Sequence, residues 1–112
     1  MNAEHLERLT QALHRARPRL SHTHELKFKP VFGAVAGYVH HHIFISCGNF
    51  GLALKLPPGR CTALLAEQGC KPLRYFPNGH IKKNYVVLPG RITGNAVLFK
   101  ALVNESIAYV VQ

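Results

Sequence analysis

Three observations predict an α+β fold, a two-layer sandwich of one antiparallel sheet with helices on one face. Apolar residues recur at helical spacing near both ends of the chain and once in the middle. Between those segments lie short alternating runs joined by glycine- or proline-bounded turns. No strand–helix–strand alternation dominates, which argues against a doubly wound nucleotide fold. The predicted order is helix, three strands, helix, two strands, helix, giving five strands in all.

The first helix is the most fully specified. Asn2 is suited to capping it, because its side chain accepts from the orphan amides that follow. Leu6, Leu9, Leu13 and Ala16 fall on one face, with Glu4 and Glu7 near the start and Arg15 and Arg17 near the end, as the helix dipole favours. Pro18 ends it by disfavouring helical geometry at the preceding residue. A polar link follows over residues 21–25.

Residues 31–39 read as the first strand, despite Gly33, Ala36 and Gly37. His40, His41 and His42 make a polar turn, and residues 43–47 a second strand. Gly48, Asn49, Phe50 and Gly51 supply a hairpin turn. Leu52, Leu54 and Leu56 then alternate with Ala53 and Lys55, the pattern of a strand with one buried face. Pro57 and Pro58 break the sheet and suit the first turn of a helix over residues 60–68, which Gly69 stops. Residues 73–76 form the expected fourth strand, Pro77, Asn78 and Gly79 a turn, and residues 85–88 the fifth strand. Beyond Asn95, a good cap, Val97, Leu98, Ala101, Leu102, Ser106, Ala108 and Tyr109 suit a final amphipathic helix.

The 112 residues carry fourteen Lys plus Arg against five Glu, a net charge of +9 with eight neutral histidines. Yet 47% of residues are hydrophobic and 17% charged, which excludes a disordered basic tail and fits one domain, 1–112. The longest nearly apolar stretch, residues 31–39, is too short for a membrane helix. The N-terminus lacks the apolar core of a signal peptide. Cys47, Cys61 and Cys70 are odd in number with no C-x-x-C pair, so buried thiols in a cytoplasmic protein are expected.

Several short motifs in sequence together resemble the TfoX (Sxy) N-terminal domain family. Val31-Phe32-Gly33 is similar to its M-F-G-G opening, and Leu52-Ala53-Leu54-Lys55 to its L-Y-L-K strand. Leu73-Arg74-Tyr75-Phe76 resembles the P-F-x-Y segment, and Lys83-Asn84-Tyr85-Val86-Val87-Leu88-Pro89 the M-S-Y-Y-E-V-P segment. Val31 and Val87 stand where the family carries Met and Glu. The resemblance runs from about residue 27 to 112 and implies a stand-alone domain with a secretion-chaperone-like α+β fold. It also implies a non-enzymatic regulatory or adaptor role related to bacterial competence. The implied partner is a protein, from the transcription machinery or a regulator of the cyclic-AMP receptor type. The family brings no catalytic residues and no cofactor.

The residues themselves point to no catalytic set. Ser21, Ser46 and Ser106 sit in no nucleophile elbow, and the five glutamates lie mainly on predicted helices. Alternate histidines of an extended segment share a face, making His40 with His42 weak metal candidates, and His22 with His24 a similar pair. The stronger signal is charge. Residues 15–29 and 55–91 hold all of the basic excess. Arg15, Arg17, Arg19, Arg74, Lys82 and Lys83 are therefore the expected phosphate contacts of an alternative, nucleic-acid-binding role, with Tyr75 and Phe76 available to stack on bases. A single helical layer would also leave one sheet face open. Tyr38, Phe44 and Tyr85 are the expected apolar contacts there, for a partner or a homodimer.

Overall fold

The computed structural model describes residues 1–20 and 25–112. It is an α+β sandwich built on one antiparallel sheet. The elements are α1 (Ala3–Ala16), β1 (Leu26–Val31), β2 (Ala34–Val39), β3 (His42–Gly48), β4 (Gly51–Lys55), α2 (Pro58–Leu65), β5 (Lys71–Leu73), β6 (Lys82–Leu88), α3 (Gly90–Thr93) and α4 (Ala96–Val110). The strand order is β1-β2-β3-β4-β6-β5.

Both long helices start as their caps dictate. Asn2 Oδ1 accepts from the His5 amide at 2.9 Å, and Asn95 Oδ1 from the Leu98 amide at 3.1 Å. Ahead of Pro18, Arg17 adopts the left-handed conformation at φ 46° and closes α1.

The sheet has six strands where five were expected. The expected first strand, 31–39, is divided by a turn at Phe32 and Gly33, whose φ values of 48° and 81° are both positive. Leu26, Lys27, Phe28 and Lys29 alternate before that turn and form an edge strand, where Pro30 is tolerated. Other boundaries also differ: the strand expected at 85–88 begins at Lys82, and the helix expected from residue 60 begins at Pro58. The expected fourth strand, 73–76, is instead β5, which ends at Leu73, so Tyr75 and Phe76 lie in the following loop. The second helix ends at Leu65, short of residue 68. Pro89 is followed by the short helix α3.

All four helices bury residues in one cluster. Leu9 and Leu13 of α1, Leu64 of α2, Ile92 of α3, and Phe99 and Val103 of α4 meet Val35, Cys47, Leu54, Val86 and Leu88 of the sheet. Strand alternation assigns these sheet residues to one face. Phe44 belongs to this core as well, with none of its surface exposed. Its expected place on the open face is therefore corrected. A bulge between Gly37 and Tyr38 pairs Gly37 with Ile45 and Tyr38 with Ile43, leaving Phe44 as the extra residue. The bulge breaks the alternation, so neighbouring Phe44 and Ile45 both join the helix-side core.

Candidate nucleic-acid interface

Among the described residues, no helix packs on the other face of the sheet. Its interior is small: Ala36, Ser46 and Ala53 form one cross-strand row, and Val87 pairs with Ala53. Leu73, Tyr85 and Val87 pack with Ala53 in a second apolar cluster, joined by the half-buried Ile43, Phe50 and Tyr75. Tyr75 arrives from the loop between β5 and β6 and lies against this face, where its hydroxyl donates to Ser46 Oγ at 3.2 Å. That bond gives the fully buried Ser46 hydroxyl a partner. Burial pushes the phenols of Tyr75 and Tyr85 above the usual range, so both are neutral at pH 7.

Lysines stand among these tyrosines. Lys27 and Lys29 alternate along β1 opposite Tyr38 and Ala36, and Lys29 Nζ lies 5.1 Å from the Tyr38 ring centre. Lys55 is the register partner of Tyr85, with Nζ 5.8 Å from that ring. Both distances suit cation–π attraction. Two recesses meet at Tyr38 and His41. One, of about 240 Å³, is lined by Glu25, Lys27 and Lys29; the other, of about 420 Å³, by Ile43, Lys55 and Tyr109.

The carboxylates are distributed unevenly. Glu4 and Glu7 lie on α1, Glu67 follows α2, and Glu105 lies on α4. Arg60 holds Glu105 at 2.8 Å and Arg91 approaches Glu67 at 3.8 Å, so part of the basic excess is neutralised on the helical side. Among the described residues only Glu25 reaches the lysine recess, 3.6 Å from Lys27 in an exposed pair of little strength. The lysines of the helix-free face thus meet solvent with a nearly uncompensated positive charge.

At the other end of this face is an aromatic cleft of about 370 Å³. The β1–β2 turn contributes Phe32, the β3–β4 turn Asn49 and Phe50, and the β5–β6 loop Arg74, Tyr75 and Pro77. The Phe32 ring centre is 5.5 Å from Tyr75 and 5.5 Å from Phe76, and Phe50 is 5.7 Å from Tyr75.

The residues expected from sequence are divided between the layers. Arg74 borders the aromatic cleft, and Lys82 and Lys83 open β6. Arg15 lies on α1 and Arg17 caps it, while the Arg19 amide donates to Asn104 of α4, so these arginines belong to the helical layer. Tyr38 sits partly exposed on the helix-free face, whereas Tyr85 lies on that face but is buried beneath its neighbours, with 8% of its surface exposed. Sequence reasoning missed Phe32 and Phe50 as site residues, and gave Lys27, Lys29 and Lys55 no individual role. The alternation of Leu26, Lys27, Phe28 and Lys29 is the signal that would have found β1 and its two lysines.

His40 and His41 fill a two-residue turn with φ values of 51° and 69°, and His42 begins β3. No group of three or more His, Cys, Asp or Glu side chains converges among the described residues. His22 and His24 lie outside the described residues. Cys47, Cys61 and Cys70 are buried and unpaired with one another, and burial raises their thiol pKa values. Among the described residues, no helix is long and apolar enough to cross a membrane. No protein-family model, curated protein or solved structure matches the chain.

Proposed function

We propose that the chain is a non-enzymatic, cytoplasmic binding module that holds nucleic acid on the helix-free face of its sheet. One observation carries this reading: Lys27, Lys29 and Lys55 stand among Tyr38 and Tyr85 on a face where, among the described residues, Glu25 is the only carboxylate lining the recesses. Phosphates meet fixed positive charge there, and the partly exposed Tyr38 ring adds contact that needs no base sequence. Titration of labelled RNA and DNA at two salt concentrations tests it. Binding is expected to weaken steeply with salt. The triple variant K27Q/K29Q/K55Q is expected to lower the slope of log K against log salt by about 2, or roughly 0.7 per lost single-strand phosphate contact. Absence of binding at low salt refutes the reading.

A second reading is a regulatory adaptor related to the TfoX N-terminal domain, docking a protein or a second copy. The succession of helix, four antiparallel strands, helix, two strands and two helices supports that kinship and its secretion-chaperone-like layout. The exposed rings of Phe32 and Phe76 also favour it, since a protein interface buries such groups. In this reading, light scattering shows a dimer or a pull-down recovers a transcription regulator. A persistent monomer without a partner counts against it.

A further inference from the structure

We infer that the aromatic cleft formed by Phe32, Phe50 and Tyr75, with Arg74 at its rim, receives an unpaired nucleobase, so that the protein selects single-stranded over duplex nucleic acid. The inference rests on the nucleic-acid reading above and adds a ligand class to it.

The first support is shape and chemistry. Rings from separate segments converge at 5.5–5.7 Å on a cleft of about 370 Å³, near the lower end of small-ligand pocket volumes. Bases stack on such rings only when they are free of a duplex, and stacking tolerates any base because each has a π-face. Asn49 brings both a donor and an acceptor to the same cleft. Arg74 has no acid partner among the described residues, and its guanidinium suits the adjoining phosphate or the face of the base.

The second support is the backbone at Phe32. Its φ of 48° belongs to a turn position where Asn, Asp or Gly is at ease and a bulky aromatic is strained. The side chain gains little burial in return, because 62% of its surface is exposed, as is 54% of Phe76. The ring contacts with Tyr75 and Phe76 leave most of the Phe32 surface in water, and a contact made on binding accounts for an aromatic ring held there in a strained turn.

The third support is position. Ala34 borders the cleft and Tyr38 borders the lysine recesses, four residues apart on β2. At strand rise this is about 13 Å. A short single strand lying along the face would set its phosphates at the lysines and one base in the cleft. Charge complementarity makes a nucleic-acid strand the occupant in preference to an apolar protein segment.

The decisive variant is Phe32→Asn. It removes the ring and introduces a residue suited to positive φ, so the fold is expected to melt at an unchanged or higher temperature. Fluorescein-labelled 12-mer RNA, 12-mer DNA and the matching DNA duplex are titrated at low salt against the full chain. The expected result is that single strands bind at least tenfold more tightly than duplex. F32N then binds single strands about tenfold more weakly, the loss expected for one stacked base, with duplex binding unchanged. Equal binding of strand and duplex, unaffected by F32N but reduced by K27Q/K29Q/K55Q, overturns the cleft assignment and leaves the basic-face reading standing. Displacement of the strand by polyglutamate as readily as by unlabelled RNA also overturns the inference, in favour of an acidic protein partner. Failure of every nucleic acid to bind overturns both readings.

Discussion

Replacing Ser106 with alanine tests how the two layers are locked together. Ser106 lies on α4 with none of its surface exposed, and its Oγ is 3.0 Å from the Phe44 carbonyl and 2.6 Å from the Lys55 carbonyl. The sheet explains why these carbonyls need a donor. Phe44 is the bulged residue with no register partner on β2, and the β3–β4 ladder ends at the pair Ile45 and Leu54. A helix side chain therefore completes hydrogen bonding that the strands leave unfinished. One hydroxyl proton serves one carbonyl at a time. Its removal forfeits about 1 kcal/mol of net bond and leaves a buried acceptor bare, for a total near 2 kcal/mol. The unfolding entropy of 112 residues is about 0.24 kcal/mol/K, so the melting temperature is expected to fall by roughly 8 °C. Calorimetry of wild type and S106A measures this directly. A fall below about 2 °C refutes the claim that α4 supplies the missing donor.

Three further outcomes follow from the packing. Gly37→Ala places a Cβ 2.7 Å from the methyl Cγ2 of Ile45, which is fully buried and has little room to retreat; urea unfolding is expected to show a loss of about 1–3 kcal/mol, and wild-type stability would refute the clash. Cys47, Cys61, Cys70, Tyr75 and Tyr85 all have folded-state pKa values raised above their ordinary 9.0 and 10.0, so the unfolded chain loses those protons first. Stability from these groups is full below pH 9 and declines as pH rises through 9–11, by about 1.4 kcal/mol per pH unit for each proton lost only on unfolding. A flat stability profile over that range would contradict their burial. The three thiols are expected to resist a disulfide reagent in the native protein and to react together in 6 M guanidinium; prompt native labelling would place one at the surface.

Local signals served well where one element's geometry depends on its own residues. Asn2 and Asn95 cap the helices that their positions announce, and Pro18 ends α1 through its steric effect on Arg17. The turn at 48–51 and the alternation in β4 were legible for the same reason. The turn at Phe32 was hidden because an aromatic residue at positive φ is contrary to turn propensity. Tyr75 and Phe76 read as strand because aromatic residues favour strands, yet their loop packs against the sheet face and bonds Ser46.

The amino-acid sequence by itself determined an α+β chain, the starts of its two long helices, the buried stripe of α1 and the surplus of positive charge. These depend on periodicity and capping, which act over a few residues. It misplaced the stripe of α4, where Phe99, Leu102, Val103, Ser106 and Ile107 are buried while Val97, Leu98, Ala101 and Ala108 are exposed. The tertiary structure decided which charges share a surface. It set Arg15, Arg17 and Arg19 in the helical layer and Lys27, Lys29 and Lys55 on the opposite sheet face. It also turned Phe44 inward through one bulge and brought Phe32, Phe50 and Tyr75 together. A one-residue bulge reverses facing, and a ring cluster drawn from three distant segments depends on long-range pairing, so neither is written in any local pattern.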